Sequence, residues 1–203
     1  MSFDIIYNFA VIILAAGNSS RLGQPKQTVV FNNTTLLNNT IQKAKDSTLN
    51  DIYIVLGANA EQIIPTLDSN SSIVINEDWK LGMGKSIAVA LEAIIDLEYD
   101  GVVVLLSDQI YLGSLCIDNL IKVRKTQSKG IVLSKYKNGS GPPSFFDKKY
   151  FKDLLLLDDD NGAKSIVKNN FHDVAFVAFE NGDVDIDTPE DLRYIDDIFI
   201  SDS

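Results

Sequence analysis

The sequence predicts an α/β protein with a three-layer, doubly wound and mostly parallel sheet, and two observations support this prediction. First, apolar runs of strand length recur along the chain, and their continuous rather than alternating character is typical of strands covered on both faces. Second, stretches with helical spacing separate these runs, an alternation typical of Rossmann-like folds. The predicted strands are residues 9–14, 52–56, 72–75, 101–106, 130–134 and 174–179.

The helical stretches between these strands are residues 35–45, 60–67, 85–97, 115–125 and 163–169. A last helix begins at Thr188-Pro189, because threonine caps free N–H groups and proline suits the first helical position. We expect it to run to about Ile198. Residues 136–144 are rich in glycine and proline, which predicts a mobile loop near the ligand edge of the sheet.

The composition bounds the size, the location and the partners of the protein. Its 203 residues, 45% of them hydrophobic, can bury one sizeable core, so we expect a single domain over residues 1–203. A formal net charge of −10 repels nucleic acid backbones and anionic membranes, so neither is an expected partner. The single Cys116 cannot form an internal disulfide, and no lysine or arginine precedes the apolar stretch 5–16 to make it a signal peptide. We therefore expect a cytoplasmic protein.

Residues 14–26, which read LAAGNSSRLGQPK, follow the first predicted strand and indicate a polyphosphate site. Small residues let backbone N–H groups approach an anion, and Arg21 and Lys26 add mobile positive charge. Two better-known phosphate motifs fail on spacing. The dinucleotide fingerprint needs three glycines where this loop has Gly17 and Gly23, and the P-loop needs a lysine directly after its second glycine.

Two further segments supply carboxylates. Asp108 directly follows the predicted strand 101–106, and Mg²⁺ takes one or two protein carboxylates and leaves the rest of its shell to phosphate and water. Helix capping is the competing explanation of Asp108. In the run GDVDID, period two places Asp183, Asp185 and Asp187 on one face. Asp187 is also placed to cap the last helix, so Asp185 is the preferred second metal ligand and Asp187 the alternative.

A third element, residues 76–86, also follows a strand and opens a helix. Its glycines, Gly82 among them, permit close approach of a planar base, and Ser86 is placed for its hydroxyl to contact the edge of that base. The acidic run 158–160 is predicted to be a solvated turn.

Together these segments resemble the nucleotidyltransferases of the molybdenum cofactor cytidylyltransferase type. The larger group includes the guanylyltransferase of the same pathway and many sugar-phosphate nucleotidyltransferases. The family's opening pattern L-A-A-G-x-S-x-R-x-G-x-P-K is matched by residues 14–26. The similarity continues through residues 79–86, 108–109, 141–146, 162–164 and 185–192. The resemblance implies a fold of the nucleotide-diphospho-sugar transferase type.

The resemblance also implies transfer of a nucleoside monophosphate from an NTP to a phosphate-bearing acceptor, with Mg²⁺ as cofactor and pyrophosphate as product. The implied acceptor is molybdopterin or the molybdenum cofactor, and the implied donor is CTP, because the guanylyltransferases usually have glycine where this chain has Ala16. Arg21, Lys26 and Asp108 are the implied catalytic residues, and Asp108 with Asp185 the implied metal ligands. The implied nucleotide-binding residues are Leu14, Ala15, Ala16, Gly17, Ser19, Arg21, Lys26, Gly82, Ser86 and Asp108.

Two positions depart from the family pattern. Ile110 stands where the family commonly has proline, and Gly141-Pro142-Pro143 stands where cytidylyltransferases often have Gly-His-Pro. The second departure removes a hydrogen-bonding side chain from the acceptor side. Two other functions therefore stay open. One is the same transfer to a sugar phosphate or polyol phosphate, and the other is a non-catalytic nucleotide or cofactor carrier that delivers its cargo to an apoenzyme.

Overall fold

The computed structural model describes residues 7–68 and 71–193, and its strands and helices alternate as the sequence predicts. The strands are β1 (Phe9–Ala15), β2 (Val30–Phe31), β3 (Thr34–Thr35), β4 (Asp51–Leu56), β5 (Ser72–Ile75), β6 (Gly101–Leu106), β7 (Ile131–Tyr136), β8 (Gly139–Asp147) and β9 (Val174–Ala178). The helices are α1 (Leu36–Lys45), α2 (Ala60–Ile63), α3 (Met83–Ile94), α4 (Ser114–Gln127), α5 (Phe151–Leu154) and α6 (Lys164–Asn169).

The last predicted helix begins where the sequence places it. Residues 189–193 are helical, and the Thr188 hydroxyl accepts a hydrogen bond from the Asp191 N–H at 3.3 Å. The Asp191 carboxylate in turn accepts from the Thr188 N–H at 2.8 Å, which makes a reciprocal cap. The rest of this prediction, up to Ile198, lies outside the described residues. Within the described part of the chain, no helix is long and apolar enough to cross a membrane.

The main sheet has seven strands in the order β5-β4-β1-β6-β8-β7-β9. β1 pairs in parallel with β4 on one side and β6 on the other, and all its residues are buried. β8 runs antiparallel to its two neighbours, β6 and β7, and the other neighbouring pairs of this sheet are parallel. The predicted doubly wound, mostly parallel sheet is therefore confirmed.

Alternate side chains of the central strands pack into two separate apolar layers. In β1, Val11 and Ile13 face a cluster that includes residues of α1 and α4. The neighbouring Ala10, Ile12 and Leu14 face the opposite cluster, which includes residues of α3, α5 and α6. Because both faces are covered, the strand sequences are continuously apolar. These two clusters make the predicted three-layer architecture.

A third, smaller apolar cluster lies beyond the carboxyl ends of the strands. It joins residues from the loop after β1, from the segment after β6 and from the acidic run near the end of the described chain. Its buried members are Leu22, Val29, Phe31, Leu36, Ile110 and Ile186. Ile110, which stands in place of the family's proline, is therefore a packing residue that helps hold these loops together.

The prediction of a mobile loop over residues 136–144 is wrong, because this segment contains the end of β7 and the first half of β8. Phe145 and Phe146, further along β8, are buried on opposite faces of the sheet. Pro142 and Pro143 fall where the register between β7 and β8 shifts. Residues in such a bulge need not donate to the ladder, so two prolines are tolerated inside a strand.

Two predicted strands are not covered on both faces. β5 and β9 lie at the edges of the sheet, where the side chains of β5 are exposed or half-buried and those of β9 alternate between buried and exposed or half-buried positions. A short apolar run cannot distinguish an edge strand from a central one, because its sheet neighbours come from distant parts of the chain. The short hairpin of β2 and β3 and the four-residue α5 were not predicted either.

Gly101, at the start of β6, occupies a position with no room for a side chain. An added Cβ would lie 2.5 Å from the Phe145 ring and 2.8 Å from the backbone oxygen of Phe146. We predict that Gly101→Ala lowers the free energy of unfolding, measured in urea, by about 1–3 kcal/mol, the usual cost of overpacking a core. Gly113→Ala is the control, because its φ is −119° and an added Cβ would meet nothing within 4 Å. Equal stability of the two variants would contradict the prediction.

Candidate active site

The parallel pairing of β1 and β6 brings two predicted site segments together. Leu14 lies opposite Leu106 in the register, so the chain that leaves β1 at Ala16 and the chain that leaves β6 at Ser107 start side by side. Asp108 is only 7% exposed at this edge. The sheet register therefore makes neighbours of Asp108, the first predicted metal ligand, and the predicted polyphosphate segment 14–26, which we call the anion loop.

The loop after β1 is held by polar side chains of its own. The Gln27 side-chain amide donates to the backbone oxygens of Ala15 at 2.8 Å and Gly17 at 3.0 Å. The Ser19 hydroxyl accepts a hydrogen bond from the Lys26 N–H at 3.0 Å. Gln27 is 1% exposed and was not among the predicted site residues, although its place directly after Lys26 is a signal that could have indicated it.

Lys26 lies between two carboxylates. Its ammonium group contacts Asp108 Oδ2 and lies 3.1 Å from Asp187 Oδ1. The other Asp187 oxygen is 2.7 Å from Arg21 Nη2. Burial lowers the pKa of Lys26, but the charges of Asp108 and Asp187 more than offset this, so its net pKa is raised. Lys26 therefore stays charged, and both oxygens of Asp187 are already paired.

Asp185 lies in the same cluster but forms no ion pair with a lysine or arginine of the described residues. The backbones of Asp185 and Gln109 form an isolated antiparallel bridge, which holds this residue next to the segment that carries Asp108. Burial, and then the negative charge of Asp108, raise the pKa of Asp185 to about 7. Asp185 Oδ1 and Asp108 Oδ1 are both buried and have no hydrogen-bond partner. Two carboxylate oxygens are thus left for a further ligand.

A cavity of about 420 Å³ opens beside this cluster. Eight of the ten predicted nucleotide-binding residues line it: Leu14, Ala15, Ala16, Gly17, Lys26, Gly82, Ser86 and Asp108. Ser19 and Arg21 are not among its lining residues. Ser19 contacts the Lys26 backbone, and the exposed Arg21 pairs with Asp187 outside this cavity. Gly17 leaves open space, because an added Cβ would meet nothing within 4 Å.

The sequence predicted that Gly82 and its neighbouring glycine leave room for a nucleotide base. In the structure, the space beside Gly82 and Gly84 is occupied by the backbone of another part of the chain. An added Cβ at Gly82 would lie 2.5 Å from the Asp160 Cα, and one at Gly84 would lie 2.7 Å from the Asp159 backbone oxygen. The Gly84 N–H donates to that oxygen at 2.8 Å. The acidic turn 158–160 is exposed, as predicted, but its backbone packs on these glycines and Asp160 lines the cavity.

Ser86 lines the floor of the same cavity and is 4% exposed. Its hydroxyl accepts a hydrogen bond from the side-chain amide of the fully buried Asn76 at 2.9 Å. Asn76 begins the predicted 76–86 segment, but it was not among the predicted site residues. The half-buried Trp79 also lines the cavity and adds an aromatic side chain to it.

A second cavity, of about 600 Å³, adjoins the first. The two share Met83, Leu106 and Asp160 as lining residues, and Asp185 lines the second as Asp108 lines the first. The walls of the second cavity are largely apolar, with side chains from α3, β6, β7, β8 and α6. The carboxylate pair therefore stands at the border between the two cavities.

The Gly-Pro-Pro departure lies on the wall of this second cavity. Pro142 contributes its backbone oxygen, which accepts hydrogen bonds from the Gln109 side-chain amide at 2.8 Å and from the Tyr136 hydroxyl. Burial raises the pKa of Tyr136 to about 12, so its hydroxyl keeps the proton that it donates. The missing histidine side chain is therefore replaced by a fixed stretch of backbone.

A family model described as the MobA-like NTP transferase domain matches residues 11–174 of this sequence. The chain belongs to this family. Members of the family are nucleotidyltransferases, so the predicted enzyme class is confirmed, and with it the resemblance on which it rested. The match includes the loop after β1, Asp108 and both glycines of the 76–86 segment.

Known relatives of this MobA-like chain match over nearly its whole length. The purine catabolism protein PucB of Bacillus subtilis is 27% identical over 195 residues, which cover 91% of this chain and 94% of that protein. The crystal structure of Rv0371c from Mycobacterium tuberculosis is 29% identical, with a TM-score of 0.83, and covers 93% of this chain and 97% of that one. A structure of Rv0371c in complex with manganese is 27% identical, with a TM-score of 0.78 and the same shares of the two chains covered.

The Asp185 carboxylate ionises beside Asp108 in a partly buried position, so we expect it to lower the stability of this MobA-like transferase. Its pKa rises from an ordinary 3.8 to about 7 on folding, so the cost is absent well below 3.8 and complete above 7. We predict that Asp185→Asn raises the free energy of unfolding by about 1–2 kcal/mol at pH 8, after allowance for partial exposure. The gain becomes smaller at pH 5.

Urea denaturation in the presence of a chelator, at both pH values, measures this gain. Asp183→Asn is the matched control, because Asp183 belongs to the same acidic run but is exposed. An equal gain in the control, or no gain for Asp185→Asn at pH 8, would show that the two carboxylates do not repel each other in the fold.

Proposed function

We propose that this nucleotidyltransferase transfers CMP from CTP to molybdopterin or the molybdenum cofactor, with Mg²⁺ as cofactor and release of pyrophosphate. One observation carries the proposal: the Asp108 and Asp185 pair stands between an anion-loop cavity and a larger, mainly apolar cavity. A transferase with two substrates needs a site of this kind, in which donor and acceptor meet at the groups that neutralise their charge.

The first cavity suits the nucleoside triphosphate. Gly17 leaves the backbone of the loop accessible to a phosphate, and Lys26 brings a permanent positive charge to the same wall. We assign Lys26 to the triphosphate directly. Arg21 now pairs with Asp187 outside this cavity, and we infer that its exposed side chain turns from Asp187 to the phosphates when the nucleotide binds. Ala16, in the position where guanylyltransferases usually have glycine, favours CTP as the donor.

The carboxylates fit a hard divalent cation. Asp108 Oδ1 and Asp185 Oδ1 are buried oxygens without a hydrogen-bond partner, and Mg²⁺ is held by one or two carboxylates together with substrate phosphates. We choose Asp185 over Asp187 as the second ligand, because both Asp187 oxygens are paired with cations. Within the described part of the chain, no group of three or more acidic, histidine or cysteine side chains is placed to hold a metal ion by itself, so the remaining ligands would come from the substrate and water. The manganese complex of Rv0371c supports a divalent ion in this family.

The chemistry needs charge neutralisation and alignment more than a protein nucleophile. An oxygen of the acceptor phosphate attacks the α-phosphorus of CTP, and the bond from that phosphorus to the pyrophosphate oxygen breaks. A bound Mg²⁺ would neutralise the developing charge on the phosphates. Lys26 and Arg21 stabilise the departing pyrophosphate, while the rigid ends of β1 and β6 keep donor and acceptor in line.

The second cavity suits a flat acceptor with a polar edge and a phosphate. Its apolar walls include Leu133, Phe146 and Ile87, which can cover the faces of a ring system. The same lining holds the polar side chains of Asn138, Ser140 and Asn161, which can pair with the edge of the ring.

Lys164 and Lys168, four residues apart on α6, add positive charge to this lining, which also contains Asp160, Asp183 and Asp185. We favour a pterin with a phosphate tail over a sugar phosphate, because a sugar has no flat ring face for the apolar walls to cover.

A matrix of donors and acceptors tests the substrate assignment. We predict that CTP with molybdopterin releases pyrophosphate at least about tenfold faster than ATP, GTP or UTP with the same acceptor. CTP with a sugar 1-phosphate or polyol phosphate should be slower by a similar factor. Rapid formation of a sugar nucleotide would overturn the acceptor. If the protein binds an NTP tightly, independently of Mg²⁺, and shows no turnover with any acceptor, this result would favour a non-catalytic nucleotide or cofactor carrier instead.

Two single variants test the residue roles. We predict that Lys26→Ala and Asp108→Ala each lower kcat/KM for pyrophosphate release by about 10²- to 10³-fold, the usual loss for one preorganised charged contact. Lys148→Ala is the control, because this exposed lysine pairs with Asp100, outside both cavities, at 2.9 Å. Circular dichroism confirms that each variant is folded. Near wild-type turnover in either site variant would show that its residue is wrongly assigned.

A further inference from the structure

Gln109 is the most constrained polar side chain on the acceptor side of the site. It is 3% exposed, and its amide nitrogen donates to the backbone oxygens of Pro142 at 2.8 Å and Gly182 at 2.7 Å. The Tyr136 hydroxyl lies 3.3 Å from the same nitrogen. An amide N–H₂ group has two hydrogens to donate, so the two carbonyls use both of them and set the orientation of the side chain.

These contacts link the two segments that carry the candidate metal ligands. Gln109 directly follows Asp108 in the chain, and its own backbone bridges that of Asp185. The carbonyl of Gly182 belongs to the turn that leads into Asp185. One side chain therefore ties the end of β6 both to β8 and to the turn before Asp185.

The surroundings leave this arrangement little freedom. An added Cβ at Gly182 would lie 2.3 Å from the Tyr136 ring, and one at Gly141 would lie 2.9 Å from the Tyr136 hydroxyl. Gln109 Oε1 is itself buried and has no partner. A buried amide that satisfies two backbone carbonyls but leaves its own oxygen unpaired is costly, which is more typical of a site that needs exact placement than of an ordinary core.

We propose that Gln109 is a positioning residue that sets the placement of Asp108 relative to Asp185 as ligands of a divalent cation. This inference rests on the proposed function, because it takes those two carboxylates as the metal site. Groups that orient metal ligands from outside the coordination shell usually change metal affinity by about 10- to 100-fold when they are removed. Gln109 acts in this way from the position next to Asp108, because its side-chain amide holds the carbonyls of Pro142 and of Gly182, in the turn before Asp185.

The chain supplies a matched comparison in Asn38, a buried amide on α1 that lines neither cavity. Its amide nitrogen donates to the Thr66 backbone oxygen at 2.8 Å, and its side-chain oxygen accepts from the Asp68 N–H at 3.2 Å. Leucine is close to asparagine in shape and lacks its hydrogen-bonding groups. Loss of either amide removes two hydrogen bonds, so the two variants separate a loss of stability from a loss of metal placement.

Mn²⁺ binding to the nucleotide-free protein, followed by the electron paramagnetic resonance signal of free Mn²⁺, tests the proposal. Methionine keeps the length of glutamine without its hydrogen-bonding groups. We expect Gln109→Met to weaken Mn²⁺ binding by about 10- to 100-fold, and Asn38→Leu to change it by less than about threefold. In turnover assays, Gln109→Met should raise the Mn²⁺ concentration needed for half-maximal rate, and excess Mn²⁺ should restore most of kcat.

A folded Gln109→Met variant that binds Mn²⁺ as the wild type does would overturn the proposal, as would an equal loss of binding in Asn38→Leu. If Gln109→Met does not fold, Gln109→Asn replaces it, because the shorter amide cannot reach the Pro142 and Gly182 carbonyls together. A loss of Mn²⁺ affinity in Gln109→Asn supports the proposal, and unchanged affinity overturns it. Asp108→Asn tests the metal site itself. If Asp108→Asn binds Mn²⁺ with wild-type affinity, the metal site itself is refuted. If Asp108→Asn binds Mn²⁺ weakly but Gln109→Met binds it normally, only the positioning role of Gln109 is refuted.

Discussion

The parallel pairing of β1 with β6 is the constraint on which the rest of this site depends. Every residue of β1 is buried, and its register with β6 is held over six consecutive pairs from Phe9 to Leu14. Because parallel strands end at the same edge of a sheet, the anion loop and Asp108 must emerge as neighbours. The small apolar cluster around Leu22, Ile110 and Ile186 then draws the last acidic segment to the same edge.

This convergence has an electrostatic cost that the fold only partly offsets. In a chain of net charge −10, three carboxylates meet around the half-buried ammonium group of Lys26. Lys26 compensates Asp108 and Asp187, and Asp185 is left with a pKa raised to about 7. Binding sites commonly keep such uncompensated charge, because the ligand supplies the missing opposite charge. The arrangement is thus better suited to a cation and a polyanion bound together than to either alone.

Backbone groups do much of the positioning at this site. Two buried glutamines, each directly after a charged residue of the site, hold four carbonyl oxygens from the surrounding loops. The Gly-Pro-Pro segment takes part through the Pro142 carbonyl, which accepts hydrogen bonds from Gln109 and Tyr136 on the wall of the second cavity. Ile110, the other departure, replaces a rigid proline by a side chain that packs in the third apolar cluster.

The sequence by itself determined the fold class, the parallel strands β1, β4 and β6, the small-residue loop after β1 and the acidic residues that follow the strands, because these features depend on local periodicity and on the order of elements along the chain. It could not reveal β8, because prolines normally argue against a strand and are tolerated here only at a bulge. It also could not show that β5 and β9 lie at the edges of the sheet. Only the tertiary structure revealed that Lys26 pairs with Asp108 and Asp187 while Asp185 has no cation partner. It also revealed that the 158–160 turn packs against Gly82. The carbonyl partners of Gln27 and Gln109 were likewise visible only in the structure. Contacts of this kind join residues far apart in the chain, and the distances between them are decided by packing rather than by local pattern.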